Sequence, residues 1–279
     1  MANTLNRVEE RQQRLESVLL WEGRVDNARV RDLFAVQAVQ ASRVLREFCE
    51  AHPDGVRRDA SLAAYVATPR FRAVHASGTL DEYLAQLDFG SPLREVISDT
   101  REELAQPSPQ VFSVLVSASA GRAPVKMLYR SMSTPQGRHR LIYPHAVVRA
   151  GRRWHVRAWC FEREQFRDFA VTRVESARLA PEAPPCPAVA DRGWDTKVGL
   201  ELVAHPLLPA KQAELIEFEN FGGRSSRSLT LRSCLVEYVV QDLRAAVDLD
   251  RQQPPEYQLA VKNLAAMEPY LFRSEFHHL

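Results

Sequence analysis

Apolar residues recur at helical spacing over residues 6–21, where Val8, Leu15, Val18, Leu19 and Trp21 stand among charges. Gly23 ends that stretch, and Asp26 is placed as an N-cap for a short helix over 27–34 that turns Val30, Leu33 and Phe34 inward. A tight connection at 35–37 leads into a third helix over 38–51, whose Val44, Leu45 and Phe48 share one face. Its other face carries Gln40, Ser42, Arg43 and Arg46, with Gln37 just ahead of it. Residues 52–55 read as a turn, and 56–68, opening with Arg57 and Arg58, as a hairpin closed off by Pro69, Phe71 and Arg72. Three helices and a basic hairpin make the pattern of a winged helix-turn-helix, with polar residues near the start of the third helix set to reach base edges. A three-helix bundle with a solvated polar face has the same local pattern.

Farther along, the period changes from helical to alternating. A capping box at 79–82 opens a helix through about residue 89, a second helix is expected over 92–105, and Pro107 and Pro109 break the chain. Strands are expected over 111–117, 125–131, 140–148, 154–161 and 166–174, interrupted by Gly121, residues 135–137 and Gly151, as in a small, strongly bent barrel. Alternation sorts the fourth strand: His155, Arg157 and Trp159 on one face, Trp154, Val156 and Ala158 on the other. Pro181, Pro184, Pro185 and Pro187 stiffen a linker. Beyond it, strands over 198–204 and 228–231 and helices over 209–218, 235–249 and 259–267 form a small α/β module. The fold class is therefore α+β and multidomain, divided at 1–75, 76–110, 111–180, 181–194 and 195–279.

Charge sharpens this division. Residues 111–180 hold thirteen Lys/Arg against four Asp/Glu, a local +9 in a chain of net +2, whereas 76–110 carry −5 and 195–279 carry −3. Fixed positive charge on packed strands points to a negatively charged partner. Thirty-three of the 37 basic residues are Arg, whose planar fork suits phosphate better than an ammonium group does. No stretch approaches the ~20 apolar residues of a membrane span, and the first ten residues lack a signal-peptide core, so a cytoplasmic protein is expected. Cys49, Cys160, Cys186 and Cys234 lie far apart with no CxxC spacing, which argues against a zinc site and a disulfide framework. A Gly-rich phosphate loop, paired metal-binding carboxylates in the basic domain and a nucleophile with a credible base are all missing from the pattern, so an enzyme is not expected, nor a cofactor.

The runs Tyr129-Arg130-Ser131 and Tyr143-Pro144-His145, residues 151–160 around Trp154-His155-Val156, and Phe166-Arg167-Asp168-Phe169 with Arg173 closely resemble the WYL domain. Within that family the chain resembles the winged-helix repressors of the BrxR and CapW type that sit beside bacterial phage-defence operons. The name-giving triplet is Trp154-His155-Val156 here, so two of its three letters differ. The resemblance covers nearly the whole chain. It implies an Sm-like barrel that senses a nucleic-acid or nucleotide ligand, a helix-turn-helix that binds operator DNA, and a C-terminal extension associated with dimer contacts. Carried over by position, the ligand candidates are Tyr129, Ser131, His145, Arg157, Arg167 and Arg173. Each also has an ordinary reading: Tyr129 as core, His145 as a strand cap, Arg167 as the partner of a nearby carboxylate. The expected protein is a homodimeric repressor. A single-strand binder that stacks bases on Trp154, Trp159 or Tyr143 is the competing expectation.

Overall fold

The computed structural model describes residues 2–86, 105–151 and 153–272. The chain divides into two compact units, residues 1–101 and 102–279. The expected helix over 92–105 falls almost wholly outside the described residues.

The first unit opens with α1 (Ala2–Glu22), a two-residue strand β1 (Arg24–Val25), α2 (Asn27–Phe34) and α3 (Ala38–Ala51). Asp26 does cap α2, accepting the Arg29 amide at 2.8 Å. Ala35, at φ 51°, turns the chain in the left-handed region between α2 and α3. β2 (Val56–Asp59) and β3 (Ala64–Ala67) form the hairpin, and β1 adds to its far edge in the order β1-β3-β2. Leu15, Val18 and Leu19 of α1, Val30 and Leu33 of α2, and Val44, Leu45 and Phe48 of α3 close one core. α4 (Leu80–Gln86) packs on α1, where the Tyr83 hydroxyl donates to Glu22 at 3.1 Å.

Below the hairpin, Glu16 is fully buried, and its Oε2 accepts the amides of Val74, His75 and Ala76 at 3.0, 2.7 and 2.8 Å. Its Oε1 lies 3.1 Å from Nε2 of His52, whose ring is held between Phe48 and Phe71. A buried carboxylate needs such donors to offset its lost hydration, and these tie the segment leaving the hairpin to α1.

The second unit begins with a correction. Residues 111–117 lie in a helix, α5 (Pro109–Gly121), rather than a strand. Pro109 occupies its first turn, where a missing N–H is harmless, and Val111, Leu115 and Ala118 line the buried stripe at i, i+4 and i+7. The five strands are β4 (Val125–Ser131), β5 (Thr134–Ala150), β6 (Arg153–Cys160), β7 (Gln165–Ala170) and β8 (Val174–Leu179). They form an antiparallel sheet in the order β7-β6-β5-β4-β8, so the fifth strand is 174–179, and the 166–174 expectation merges β7 with the turn that follows it.

The expected closed barrel is not formed among the described residues, because hydrogen bonding stops at β7 and β8. A single 3-10 turn, Val171–Arg173, nevertheless carries the chain from one edge to the other. Five flat strands at ~4.8 Å spacing separate their edges by ~19 Å. Three residues cannot bridge that distance, so the sheet must curl strongly. α5 covers its inner face, where Val125, Met127, Ile142, Val156 and Ala158 are buried.

After the proline segment come α6 (Arg192–Asp195), β9 (Lys197–Ala204), α7 (Ala210–Phe221), β10 (Ser226–Arg232), α8 (Val236–Asp242), β11 (Ala245–Ala246), β12 (Leu259–Val261) and α9 (Leu264–Met267). The sheet order is β10-β9-β12-β11. Two expectations change here. The helix over 235–249 ends at Asp242, and Arg244, at φ 47°, turns the chain into β11. The helix over 259–267 starts instead as β12, whose Leu259, Ala260 and Val261 pair with Ala204, Val203 and Leu202. This module has its own core around Leu200, Leu202, Ile216, Val236 and Val240.

Candidate DNA interface and anion site

α3 buries Ala41, Val44, Leu45 and Phe48, and this sets its outer face. Gln40, Arg43 and Arg46 lie exposed there, and Gln37 sits at the N-cap position without a side-chain cap bond. Arg43 makes an exposed i,i+4 pair with Glu47 at 2.9 Å, which is weak and easily exchanged for a phosphate. Ser42 is exposed on the same face and is also bonded within the unit. Its hydroxyl donates to the Ala38 carbonyl at 3.1 Å and accepts from Asn27 Nδ2 at 2.8 Å, and Asn27 also reaches the Ala38 carbonyl at 2.9 Å. Ser42 thereby pins the first turn of α3 to the start of α2. Val39, missed in the sequence pattern, is 85% exposed beside Gln40. An apolar side chain that leaves the core to face water at the head of this helix is its only signal in the sequence.

In the hairpin, Arg57 pairs with Val66 and Arg58 with Tyr65, so the two guanidinium groups leave β2 on opposite faces. Both are exposed, and Arg57 lies 3.5 Å from Asp59. Asp59 shapes the tip by accepting the Ser61 amide and hydroxyl at 3.0 and 2.6 Å, and these bonds hold its carboxyl below the usual range.

In the curled sheet the six ligand candidates separate. Tyr129 is buried, its ring edge-on to Phe169 at 5.1 Å, as part of the core. Ser131 lies 3.1 Å from the Ser133 hydroxyl at the end of β4. Arg167 is exposed on β7 opposite Ala158, and Arg173 is half-buried in the 3-10 turn. His145 and Arg157 are brought together. Pro144 pairs with Ala158 and Ala146 with Arg157, so His145 is the extra residue of a β-bulge. A proline has no amide to give the ladder, and a bulge beside it re-aims the next side chain.

The point on which both side chains converge is Asp191, at the N-cap of α6. Arg157 donates from Nε to Oδ2 at 2.7 Å and from Nη2 to Oδ1 at 2.8 Å, a two-pronged fork, while Nη1 reaches Asp168 at 3.1 Å. Nε2 of His145 lies 2.9 Å from Asp191 Oδ2, and the Trp194 amide donates to Oδ1 at 3.2 Å. Burial opposes the charge on Arg157, only 8% exposed, but the bond to Asp191 and the charge of Asp168 outweigh it and raise its pKa. Burial likewise pushes Asp191 up, yet the Arg157 fork prevails and its carboxyl is held below the usual range. For Asp168 burial wins, and its carboxyl lies above the usual range. The Tyr238 hydroxyl of α8 reaches Asp168 at 3.5 Å, and its ring stands 4.9 Å from that of His155. One polar chain therefore runs from β5 through β6 and β7 to the C-terminal module.

Beside Asp191 opens a cavity of about 660 Å³ lined by Tyr143, His145, Phe166, Trp194, Asp195 and Arg122 among others. Phe166 and Trp194 stand edge-on to the His145 ring at 5.6 and 5.4 Å. The stacking surface of the competing expectation is largely closed. Trp159 is buried, Trp154 is edge-on to Phe112 at 5.6 Å, and the buried Tyr143 ring donates its hydroxyl to the Pro184 carbonyl.

Comparison with known proteins matches the same segments. The family model of the BrxR transcriptional regulator winged helix-turn-helix domain matches residues 7–89, that of the WYL domain 110–179, and that of the BrxR transcriptional regulator C-terminal dimerization domain 197–267. Proteins named DNA-binding transcriptional repressor CapW are similar along almost their full length. The one from Escherichia coli (strain KTE188) is 32% identical over 267 residues, covering 90% of this chain and 89% of its own. The one from Pseudomonas aeruginosa is 29% identical, with 90% and 89% covered, and that from Stenotrophomonas maltophilia 26%, with 91% and 88%. A helix-turn-helix unit, a basic curled sheet and a C-terminal module in this order, matched along their length by these models and relatives, place the chain in the BrxR-type family of WYL-domain transcriptional regulators, a family that is not enzymatic.

Proposed function

We propose that the chain is a homodimeric, sequence-specific DNA-binding repressor, serving a phage-defence operon, whose DNA affinity is set by a nucleotide or nucleic-acid ligand at the WYL sheet. The observation that carries this reading is the outer face of α3: Gln40, Arg43 and Arg46, with Val39 beside them, project from a helix fixed by its own core and by the clamp of Asn27 and Ser42. Gln and Arg read base edges or phosphate, and an apolar Val39 suits a thymine methyl group. Arg57 and Arg58 on the hairpin add contacts to the DNA backbone. With twofold symmetry the two α3 helices would meet half-sites separated by one or more helical turns. The +9 charge of residues 111–180 supports an anionic ligand for the sheet.

The test is binding of the full-length protein to labelled duplex from upstream of its gene, against scrambled duplex and single strand, at ~150 mM salt where counterion-release binding is suppressed. The wild type prefers the upstream duplex. The double variant Arg43→Ala/Arg46→Ala loses that preference, by roughly 1–3 kcal/mol for each base contact removed and less where only phosphate is touched. Preference for single strand, unaffected by these substitutions, would sink the proposal.

A further inference from the structure

We propose that Asp191 is a built-in occupant of the WYL anion site, and that a phosphate-bearing nucleotide acts by taking its place on Arg157 and His145. This rests on the reading of the sheet as an anion sensor and adds how that sensor is controlled.

The cavity wall includes His145, Asp191 and Asp195, with Arg122 at its rim, while Arg157 lies bonded to Asp191 through two nitrogens. A nucleotide entering the 660 Å³ space meets the half-buried rings of Phe166 and Trp194, suited to a base, and a carboxylate where its phosphate should go. The donors behind that carboxylate form a phosphate's complement: a two-pronged guanidinium and a ring N–H from a bulge that re-aims it. Asp191 satisfies them as a tethered carboxylate. Because it is attached to the chain it competes at a high effective concentration, so ligand affinity is lowered by the same factor that holds the segment in place.

The geometry also supplies the consequence. Asp191 caps α6, and α6 is fastened to the C-terminal module. Arg232 stacks 4.1 Å from the Trp194 ring centroid and donates to the Trp194 carbonyl, and the Ser233 hydroxyl donates to the Gly193 carbonyl at 3.1 Å. Displacing Asp191 therefore pulls on β10 and the residues after it, in the module matched by the dimerization-domain model. A ligand regulates only if it favours one arrangement over another, and exchange of Asp191 for phosphate is such a difference.

The test uses full-length protein and Asp191→Asn, which removes the charge while keeping an N-cap residue that accepts the Trp194 amide. Calorimetric titrations with inorganic phosphate, adenosine 5′-monophosphate and a 5′-phosphorylated thymidine hexamer separate free phosphate, nucleotide and strand end as sources. The expected result is at least ~10-fold tighter binding of the two nucleotide probes by Asp191→Asn than by wild type. Arg157→Gln in that background should abolish the gain. In the wild type, adenosine 5′-monophosphate should also speed tryptic cleavage after Arg192. Equal affinity of wild type and Asp191→Asn, with no change in cleavage, overturns the displacement while leaving the sensor reading intact. Binding of no probe by either protein overturns both.

Discussion

Among the residues of the charged face, His155 carries its own pH signature. Burial between the sheet and Tyr238 lowers its pKa below the usual 6.5, the nearby charge of Asp168 offsetting only part, and its Nδ1 has no partner among the described residues. A ring held neutral in the fold but free to protonate when unfolded binds more protons in the unfolded state. Stability is then full above the unfolded pKa and falls as pH drops below about 6.5 toward the lower folded value. Melting of the full chain at pH 7.5, 6.5 and 5.5 should show a steeper acid loss in wild type than in His155→Phe, and parallel slopes would refute this account. The side-by-side placement of His155, Arg157 and Trp159 was legible from alternation alone, because a strand has only two faces. Asp191 was not legible as the counterpart of Arg157. It stands 34 residues beyond Arg157 in a proline-rich stretch, and a long-range ion pair leaves no periodic trace in a sequence.

At the level of elements, the helices and hairpin of the first unit were legible because caps and turn residues bound each of them, from Asp26 to the turn at 52–55. The sheet-covering helix α5 was misread as a strand. Its run Val-Phe-Ser-Val-Leu-Val-Ser is rich in residues that favour strands, and alternation of large and small side chains masked the stripe formed by Val111, Leu115 and Ala118. The signal that mattered stood upstream, where Ser108 and Pro109 open a helix. Tertiary burial then decided the matter, since α5 covers the inner face of the curled sheet. Leu115 is fully buried in that contact, so Leu115→Ala should destabilise the second unit by about 2–5 kcal/mol in urea unfolding. A loss under ~1 kcal/mol would mean that α5 is not part of the core. The breaks at Asp242 and at 259–261 escaped the pattern for a related reason: β11 and β12 have two and three residues, too few to display a period.

For the whole molecule, charge and exposed apolar surface fall on different segments of the chain. The basic sheet carries +9 and the C-terminal segment −3, which in the proposed function suits the sheet to an anionic ligand and leaves subunit contact to the C-terminal module. α7 buries Ile216 and Phe221 in the module's own core, yet it leaves Phe218 73% and Leu215 61% exposed, three residues apart on one outer face, with Leu207 exposed as well. Apolar side chains of this size grouped on a helix face are the usual mark of an interface, and the dimerization-domain model spans this helix. In the proposed dimer Leu215 and Phe218 meet a second copy, and the double variant Leu215→Glu/Phe218→Glu places four carboxylates in that contact. Sedimentation should then show a monomer. Its binding to the upstream duplex should weaken by at least ~10-fold, because a second recognition helix no longer binds at high effective concentration once the first is seated. Its core packing and thermal melting should change little, as both positions lie outside the buried cluster. A variant that still sediments as the wild type does would move the subunit contact elsewhere, and a monomer with unchanged duplex affinity would remove the twofold operator from the proposed function.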